Sequence, residues 1–310
     1  MAKAKRKDAE SRKVDTEKKM RETIESTIDR LEKISKGEID SNGWECPFIA
    51  EGSGQWPVNA DDKEYDGIFN GINLMSAQNE HGYSSNKWIT YNRAKKEGIK
   101  IKDPKEYSWV FFSEPKVYKK KNEETGEEES KSFWFLRTYH LYNLSNTDAD
   151  VVEDSKPKHV NPDERITELD EYVAKTEAKI IEKNGGSAHY RPSNDTITLP
   201  EYSQFKSAIG FAQTKLHELI HWTGHKDRLN RHRKGVTFGS EEYAFEELIA
   251  ELGSAVSLYK KGYKPSGVQH EEYIISWLKA LKNDPKILFK AGAKAGKAMA
   301  HIEELQKKVA

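Results

Sequence analysis

The chain holds a single cysteine, Cys46, in 310 residues, and only four methionines, none of them between Met75 and Met299. One thiol excludes an internal disulfide framework and a cysteine-rich zinc site, and it suits a reducing compartment. Net charge is lacking too: 51 basic and 51 acidic residues cancel, so no overall field draws in nucleic acid or anionic membrane. Any such attraction has to come from a local patch. No apolar run approaches the roughly 18 residues that span a bilayer. The basic N-terminus, MAKAKRKDAESRKVDTEKK, has neither the apolar stretch nor the small-residue cleavage site of a secretory signal. The expectation is a cytoplasmic protein without membrane contact.

The length predicts two domains of about 150 residues. Residues 1–40 carry 12 Lys/Arg and 10 Asp/Glu, and hydrophobic spacing becomes regular only from Ile24, Ile28 and Leu31, which reads as a charged, partly helical extension after a frayed end. Residues 41–146 read as a mixed α/β domain. An ordered loop (SNGWECPFIAEGSGQWPVNADDKEYDG) leads to two short helices in GINLMSAQNEHGYSSNKWITYNRAKKEG, then to two aromatic and branched strands, SWVFFSEPKVY and SFWFLRTYHLYNL. KKKNEETGEEESK between the strands has the composition of a mobile hairpin tip. Residues 147–165, polar and acidic with two prolines, read as a linker. From 166 to 310 the pattern predicts a helix over 166–184, a stop at Gly185-Gly186, a strand pair around AHYRPSNDTITLP, then mainly helices, the last opening at Asp284-Pro285. The fold class expected is α+β.

The chemistry concentrates in TKLHELIHWTGH. His217 and His221 are four residues apart, so one helical turn puts both imidazoles on one face, where they can grip one ion. Glu218 lies about 100° further round the helix, at the position of a general base that reaches water at the ion without being a ligand. Ile209, Ala212, Leu216, Leu219 and Ile220 give the helix an apolar side, and Gly224 is placed to end it.

Catalytic zinc usually keeps three protein ligands. HELIHWTGHKD fits the metzincin spacing with Asp227 as the third, but no methionine is present to supply the Met-turn of that class. The alternative lies in SEEYAFEELIAELGSAVSLY, where Glu247 and Glu251 share a helix face with Ala244, Ala255 and Leu258. They fit the gluzincin arrangement, in which one downstream glutamate binds the metal and another, four residues on, holds a histidine. Glu247 is the expected ligand, ahead of Asp227 and Glu246, with Glu251 behind it and one Zn2+ ion as the cofactor. Tyr243 and His225 are candidates for steadying an oxyanion, with structural roles favoured for both.

A second signal lies between Lys87 and Lys121, where eleven Lys/Arg face four Asp/Glu and interleave with Trp88, Tyr91, Tyr107 and Trp109. Positive grooves with aromatic platforms are how single-stranded nucleic acid is held without regard to sequence. The contacts expected are Lys87, Arg93, Lys95 and Lys96, carried on a helix along the phosphates, with Trp88 among the aromatic rings; a plain solvated helix face and an aromatic core are the competing reading.

YRPSNDTITLP, HELIHWTGHKDRLNR, FGSEEYAFEELIAELGSA and YIISWLKALKNDPKILFKAGAKAGKA, preceded by YDGIFNGINLM and HGYSSNKWITYNRAKKEG, together resemble the ArdC-type anti-restriction proteins and the related N-terminal part of the TraC primases, from about Trp44 to His301. The resemblance implies a single-stranded DNA-binding domain followed by a zincin-like metallopeptidase domain, in a plasmid or phage protein that shields incoming DNA from restriction. Single-stranded DNA is then one partner, and a restriction enzyme or DNA-bound protein a candidate substrate. IKIKDPKEYSWVFF, where the family has a Gly-rich basic lead, and the KKKNEETGEEESK insert depart from the pattern. Two other readings stand beside it: a DNA-binding shield with a structural or vestigial zinc site, and a cytoplasmic zinc peptidase that does not bind DNA.

Overall fold

The computed structural model describes residues 18–29, 31–33, 35–38, 55–121, 128–151, 157–161, 164–232, 235–237, 239–265, 271–284 and 286–309. Cys46, the loop before Gln55, the hairpin tip and Pro285 lie outside them. Two small sheets and a set of helices make an α+β fold, as the sequence pattern predicts. Among the described residues no helix is long and apolar enough to cross a membrane.

In the N-terminal half, helix α1 (Ile68–His81) packs on a four-stranded sheet of order β1-β2-β4-β3, formed by Val58–Asn59, Lys87–Thr90, Ser108–Lys121 and Glu128–Asn143 numbered in chain order. The long β3/β4 hairpin is the one read from its aromatic runs. Strand β3 is an edge, and the side chains of α1 close it. Asn70 exchanges two hydrogen bonds with the Phe111 backbone, both 2.7 Å, and Asn73 donates to the Trp109 carbonyl at 2.7 Å. An edge covered this way offers fewer open backbone groups to a foreign strand.

One expectation for this half needs correcting. Lys87 and Trp88 stand on strand β2 rather than on a helix, because Trp88, Ile89 and Thr90 pair with Asn143, Tyr142 and Leu141. The helix α2 (Tyr91–Glu97) begins only after Thr90, whose hydroxyl accepts the Arg93 N–H as a cap.

A second correction falls at 166–184. Helix α3 (Thr167–Ala174) is short, and the chain turns at Glu177, held at a φ of 59°, before entering strand β5 (Lys179–Lys183). The branched Ile180-Ile181 pair extends along β7 (Thr196–Pro200) in parallel, while β6 (His189–Arg191) joins the other side of β7 antiparallel. Register with a partner far along the chain overrides the local helical spacing. Helices α4 (Ala208–Thr223), α5 (Glu241–Lys260), α6 (Glu271–Asn283) and α7 (Ile287–Val309) complete the half. Asp284 accepts the Lys286 N–H at 3.0 Å ahead of the last of these.

The main core runs through both halves. Trp56, Ile68, Phe69 and Met75 belong to the same buried cluster as Ile220, Val256 and Leu288. Phe69 packs tilted against Phe289 with ring centroids 5.1 Å apart and presses on Gly292, where a Cβ would stand 2.4 Å from its ring. Trp56 meets Tyr259 edge-on and fills the space over Gly71.

That last contact yields a stability test. Alanine in a helix is favoured over glycine by about 1 kcal/mol, but a Cβ at Gly71 would lie 1.9 Å from the buried Trp56 ring. Overpacking of a rigid ring costs about 1–3 kcal/mol. Gly71→Ala should therefore lower stability by about 1–2 kcal/mol net in urea titration; a variant as stable as the native chain would mean that Trp56 is not tightly seated.

Candidate metal centre

Helix α4 begins where the Ser207 hydroxyl accepts the Gly210 N–H, and its apolar residues Phe211, Leu216, Leu219 and Ile220 are buried. That orientation turns His217 and His221 toward α5, which starts at a Ser240 cap and crosses close by. Gly253 allows the approach: a Cβ there would lie 2.8 Å from Ile220.

Between the two helices the donor atoms of His217, His221 and Glu247 all lie within 4.8 Å of one another. The two Nε2 atoms are 3.2 Å apart, and the Glu247 carboxylate stands 3.3 Å from the first and 3.5 Å from the second. The outer nitrogens also have carboxylates, Glu251 at 3.5 Å from His217 Nδ1 and Glu246 at 3.4 Å from His221 Nδ1. Gln213 donates to Glu251 at 3.5 Å. Burial opposes charge on Glu247, yet His221 and His217 hold its carboxyl well below the ordinary range. Burial likewise opposes a charged His221, but Glu247 and Glu246 raise it to about 9. The inward donors of His217, His221 and Glu247 could together hold a metal ion, and two imidazoles with one carboxylate is a ligand set that zinc takes.

Four of the residues read from the sequence, His217, His221, Glu247 and Glu251, are thus brought together, and Glu218 is buried in the wall of the same cleft of about 800 Å³. Asp227 stays outside, 69% exposed and turned to His225 Nδ1 at 3.4 Å. Glu246 is engaged by Arg231. Tyr243 lines the cleft, as do β6 residues His189 and Tyr190.

The sequence gives no fixed spacing that would have pointed to His232, whose ring lines the cleft and whose Nε2 donates to the His221 carbonyl at 2.7 Å. Gly224 does end α4, but in right-handed geometry. Its missing side chain leaves room for the His232 ring, whose Nε2 a Cβ would meet at 2.6 Å.

The basic patch is rearranged by its acidic surroundings. Lys87 pairs with Asp62 at 2.7 Å, and Arg93 forks onto Asp61 and reaches Glu97 at 2.7 Å. Trp88 is 1% exposed and belongs to the small core with Leu74, Val110 and Leu141. It cannot serve as a stacking platform. Lys95 and Lys96 are exposed on α2. An aromatic ladder begins beside them: Tyr91 and Tyr142 with centroids 6.5 Å apart, Tyr142 and Tyr107 again 6.5 Å, Tyr107 stacked on His140 at 4.3 Å. Tyr91 is 54% and Tyr107 37% exposed, and Lys18 and Lys105 border the hollow next to Tyr107. His140 and Tyr142, two apart on β4, share a sheet face. That periodicity was the available signal.

Residues 18–142 match the N-terminal domain of anti-restriction factor ArdC, and residues 167–294 match a zincin-like metallopeptidase domain. The crystal structure of the antirestriction ArdC protein from plasmid R388, metal-free, superposes with a TM-score of 0.72 at 31% identity, over 92% of this chain and 98% of that one. The chain belongs to the ArdC family of anti-restriction proteins. Its Mn(II)-bound counterpart from R388 aligns with a TM-score of 0.69 at the same identity, over 91% and 97% of the two chains. An uncharacterized protein of Sinorhizobium fredii (strain NBRC 101917 / NGR234), y4eC, is 31% identical across 84% of this chain and 86% of its own length. Two DNA primases TraC of Escherichia coli are each 32% identical across 86% of this chain. The ArdC-type chain spans only 19% and 26% of those primases.

One wall of the cleft is tied to the end of α4 by Arg228, which holds Asp195 at 3.0 Å and Tyr190 at 3.3 Å. The hydrogen bond from Arg228 keeps the Asp195 carboxyl below its ordinary 3.8. A depressed carboxylate contributes stability above its unfolded pKa and loses it as pH falls through the folded one. Asp195→Asn should thus be less stable than the native chain at pH 7, with the gap closing below about pH 4. Denaturant titrations at several pH values check this; a gap that stays constant down to pH 3 would show that the charge contributes nothing.

Proposed function

We propose that this chain is an anti-restriction protein that binds single-stranded DNA on its N-terminal sheet and carries a zinc-dependent peptidase centre between α4 and α5. The observation that carries the second part is the inward convergence of His217, His221 and Glu247, each imidazole having a further carboxylate at its outer nitrogen. Such outer partners fix the tautomer that turns Nε2 to a metal. When bound, the cation supplies Lewis-acid polarisation of a carbonyl oxygen and makes water more acidic. Glu218, next to a ligand yet not one itself, takes the proton of the attacking water and gives it to the departing amine. The edge strand β6 beside the cleft offers backbone groups to an extended peptide. A protein bound to DNA, restriction enzymes included, is the substrate class that joins both halves.

Native protein should hold one zinc per chain by elemental analysis, and His217→Ala and Glu247→Ala should lose it. Glu218→Gln should keep the metal and lose cleavage of an unstructured protein substrate. If Glu218→Gln retained all protection of transferred DNA, a DNA-binding shield with a non-catalytic metal would replace the peptidase reading. Zinc surviving Glu247→Ala would remove the ligand assignment.

The DNA reading is supported by the exposed rings of Tyr91, Tyr107 and His140 beside Lys95, Lys96 and Lys105. Stacking on an aromatic ring contributes about 1–3 kcal/mol per base, so Tyr107→Ala should weaken binding of an oligo-dT by about tenfold or more. Removing both charges in Lys95→Gln/Lys96→Gln should flatten the dependence of log affinity on log salt by about 1.4, at roughly 0.7 per phosphate contact. Unchanged affinity and slope in a fluorescence anisotropy titration would take the DNA off this face.

A further inference from the structure

Glu246 and Glu247 are neighbours on α5, and each faces His221, but from opposite ring nitrogens: Glu246 is 3.4 Å from Nδ1 and Glu247 3.5 Å from Nε2. Both carboxylates sit at the same cleft. Their different engagement traces to Arg231, whose side chain is only 5% exposed. Its Nη2 donates to Glu246 Oε1 at 2.9 Å, and its Nε stands 3.3 Å from both oxygens.

Arg231 is itself anchored. The same guanidinium donates to the Thr223 hydroxyl at 2.8 Å and to the Ile220 carbonyl at 2.6 Å. His232 donates to the carbonyl of His221 and Arg228 to that of Trp222, both at 2.7 Å. Three consecutive carbonyls in the last turn of α4 therefore each accept from a side chain of one loop, in addition to the Thr223 hydroxyl on Ile220 and the Gly224 and His225 N–H groups on His221 and Trp222. The fork that grips Glu246 is fixed to the helix that carries both histidines.

We infer that Arg231 decides which of the two adjacent glutamates is left for the metal: it keeps Glu246 as the acceptor for His221 Nδ1–H and out of the donor set, so that Glu247 serves alone. This rests on the reading of His217, His221 and Glu247 as the metal site. A buried carboxylate without a counter-charge is drawn to the nearest cation, and for Glu246 a divalent ion one residue away would be that cation. A planar guanidinium saturates it with several hydrogen bonds in fixed directions, which a lysine ammonium, as a point charge, would do less well. Arg231 is a positioning residue, acting through Glu246 on His221.

The test uses the full chain loaded with Co2+, whose visible spectrum reports the number and kind of ligands, together with affinity by chelator competition. Arg231→Gln should still take one Co2+ but with a changed spectrum of weaker visible absorption, as Glu246 joins the ion. Glu246→Gln and the double variant Arg231→Gln/Glu246→Gln should keep the native spectrum while binding about 10- to 100-fold more weakly, the usual effect of losing the group that orients a ligating histidine. A native spectrum in Arg231→Gln overturns the inference, because the pair would then be only an ordinary buried salt bridge. Loss of the metal in Glu246→Gln also overturns it, since Glu246 would be a ligand. Should Arg231→Gln fail to fold, a changed spectrum in Glu246→Gln decides against the inference and a native one for it. Failure of the native chain to bind any of Co2+, Zn2+ or Mn2+ would overturn the metal reading itself, an outcome separate from these.

Discussion

Two imidazoles and three glutamates can crowd between two helices, largely out of water, only if every charge finds a partner within reach, and that depends on how closely α4 and α5 approach. An unpaired carboxylate or imidazolium under protein costs several kcal/mol. Here the pairs are made across the helix crossing, and each histidine meets one carboxylate on its inner nitrogen and another on its outer one. Gly253 opposite Ile220 sets the separation. A side chain at 253 would push the helices apart and lengthen every one of these contacts together. The loop after α4 works to the same end, since it satisfies the carbonyls of the histidine-bearing turn and carries the counter-charge for Glu246.

The sheet half answers to a different requirement, a covered edge and a shared core. Asn70 and Asn73 use amide side chains as a substitute strand along β3. The opposite side of α1 belongs to the apolar cluster of the helical half. Aromatic rings that look alike in the sequence therefore separate into two groups. Trp88 and Trp56 are structural, while Tyr91 and Tyr107 stay partly exposed at the surface.

The parts legible in the sequence were those set by local spacing. Four residues between His217 and His221, and four between Glu247 and Glu251, fix shared helix faces whatever the rest of the chain does, and the β3/β4 hairpin declares itself in its aromatic runs. What stayed hidden depends on partners distant in sequence. Asp61 and Asp62 neutralise Arg93 and Lys87 from about thirty residues away, turning two expected phosphate contacts into salt bridges. The pairing of β5 with β7 converts the later part of a predicted helix into strand. Glu246 was weighed as a ligand because nothing near it in sequence names Arg231, fifteen residues before it, as its counter-ion. Resemblance to ArdC supplied the order of the two halves, but not these pairings.

The contact of Phe69 with Phe289 and Gly292 bears on how such chains can be recombined. The polar stretch between the halves invites a cut there, yet Phe69 is a knob seated in a socket of the last helix, and Trp56 is another against Tyr259. A metal half transplanted to a new nucleic-acid module would arrive with those sockets empty. For protein engineers the exchangeable piece is the sheet together with α1 and its matching helix faces, a unit defined by shape complementarity and not by the apparent joint in the chain.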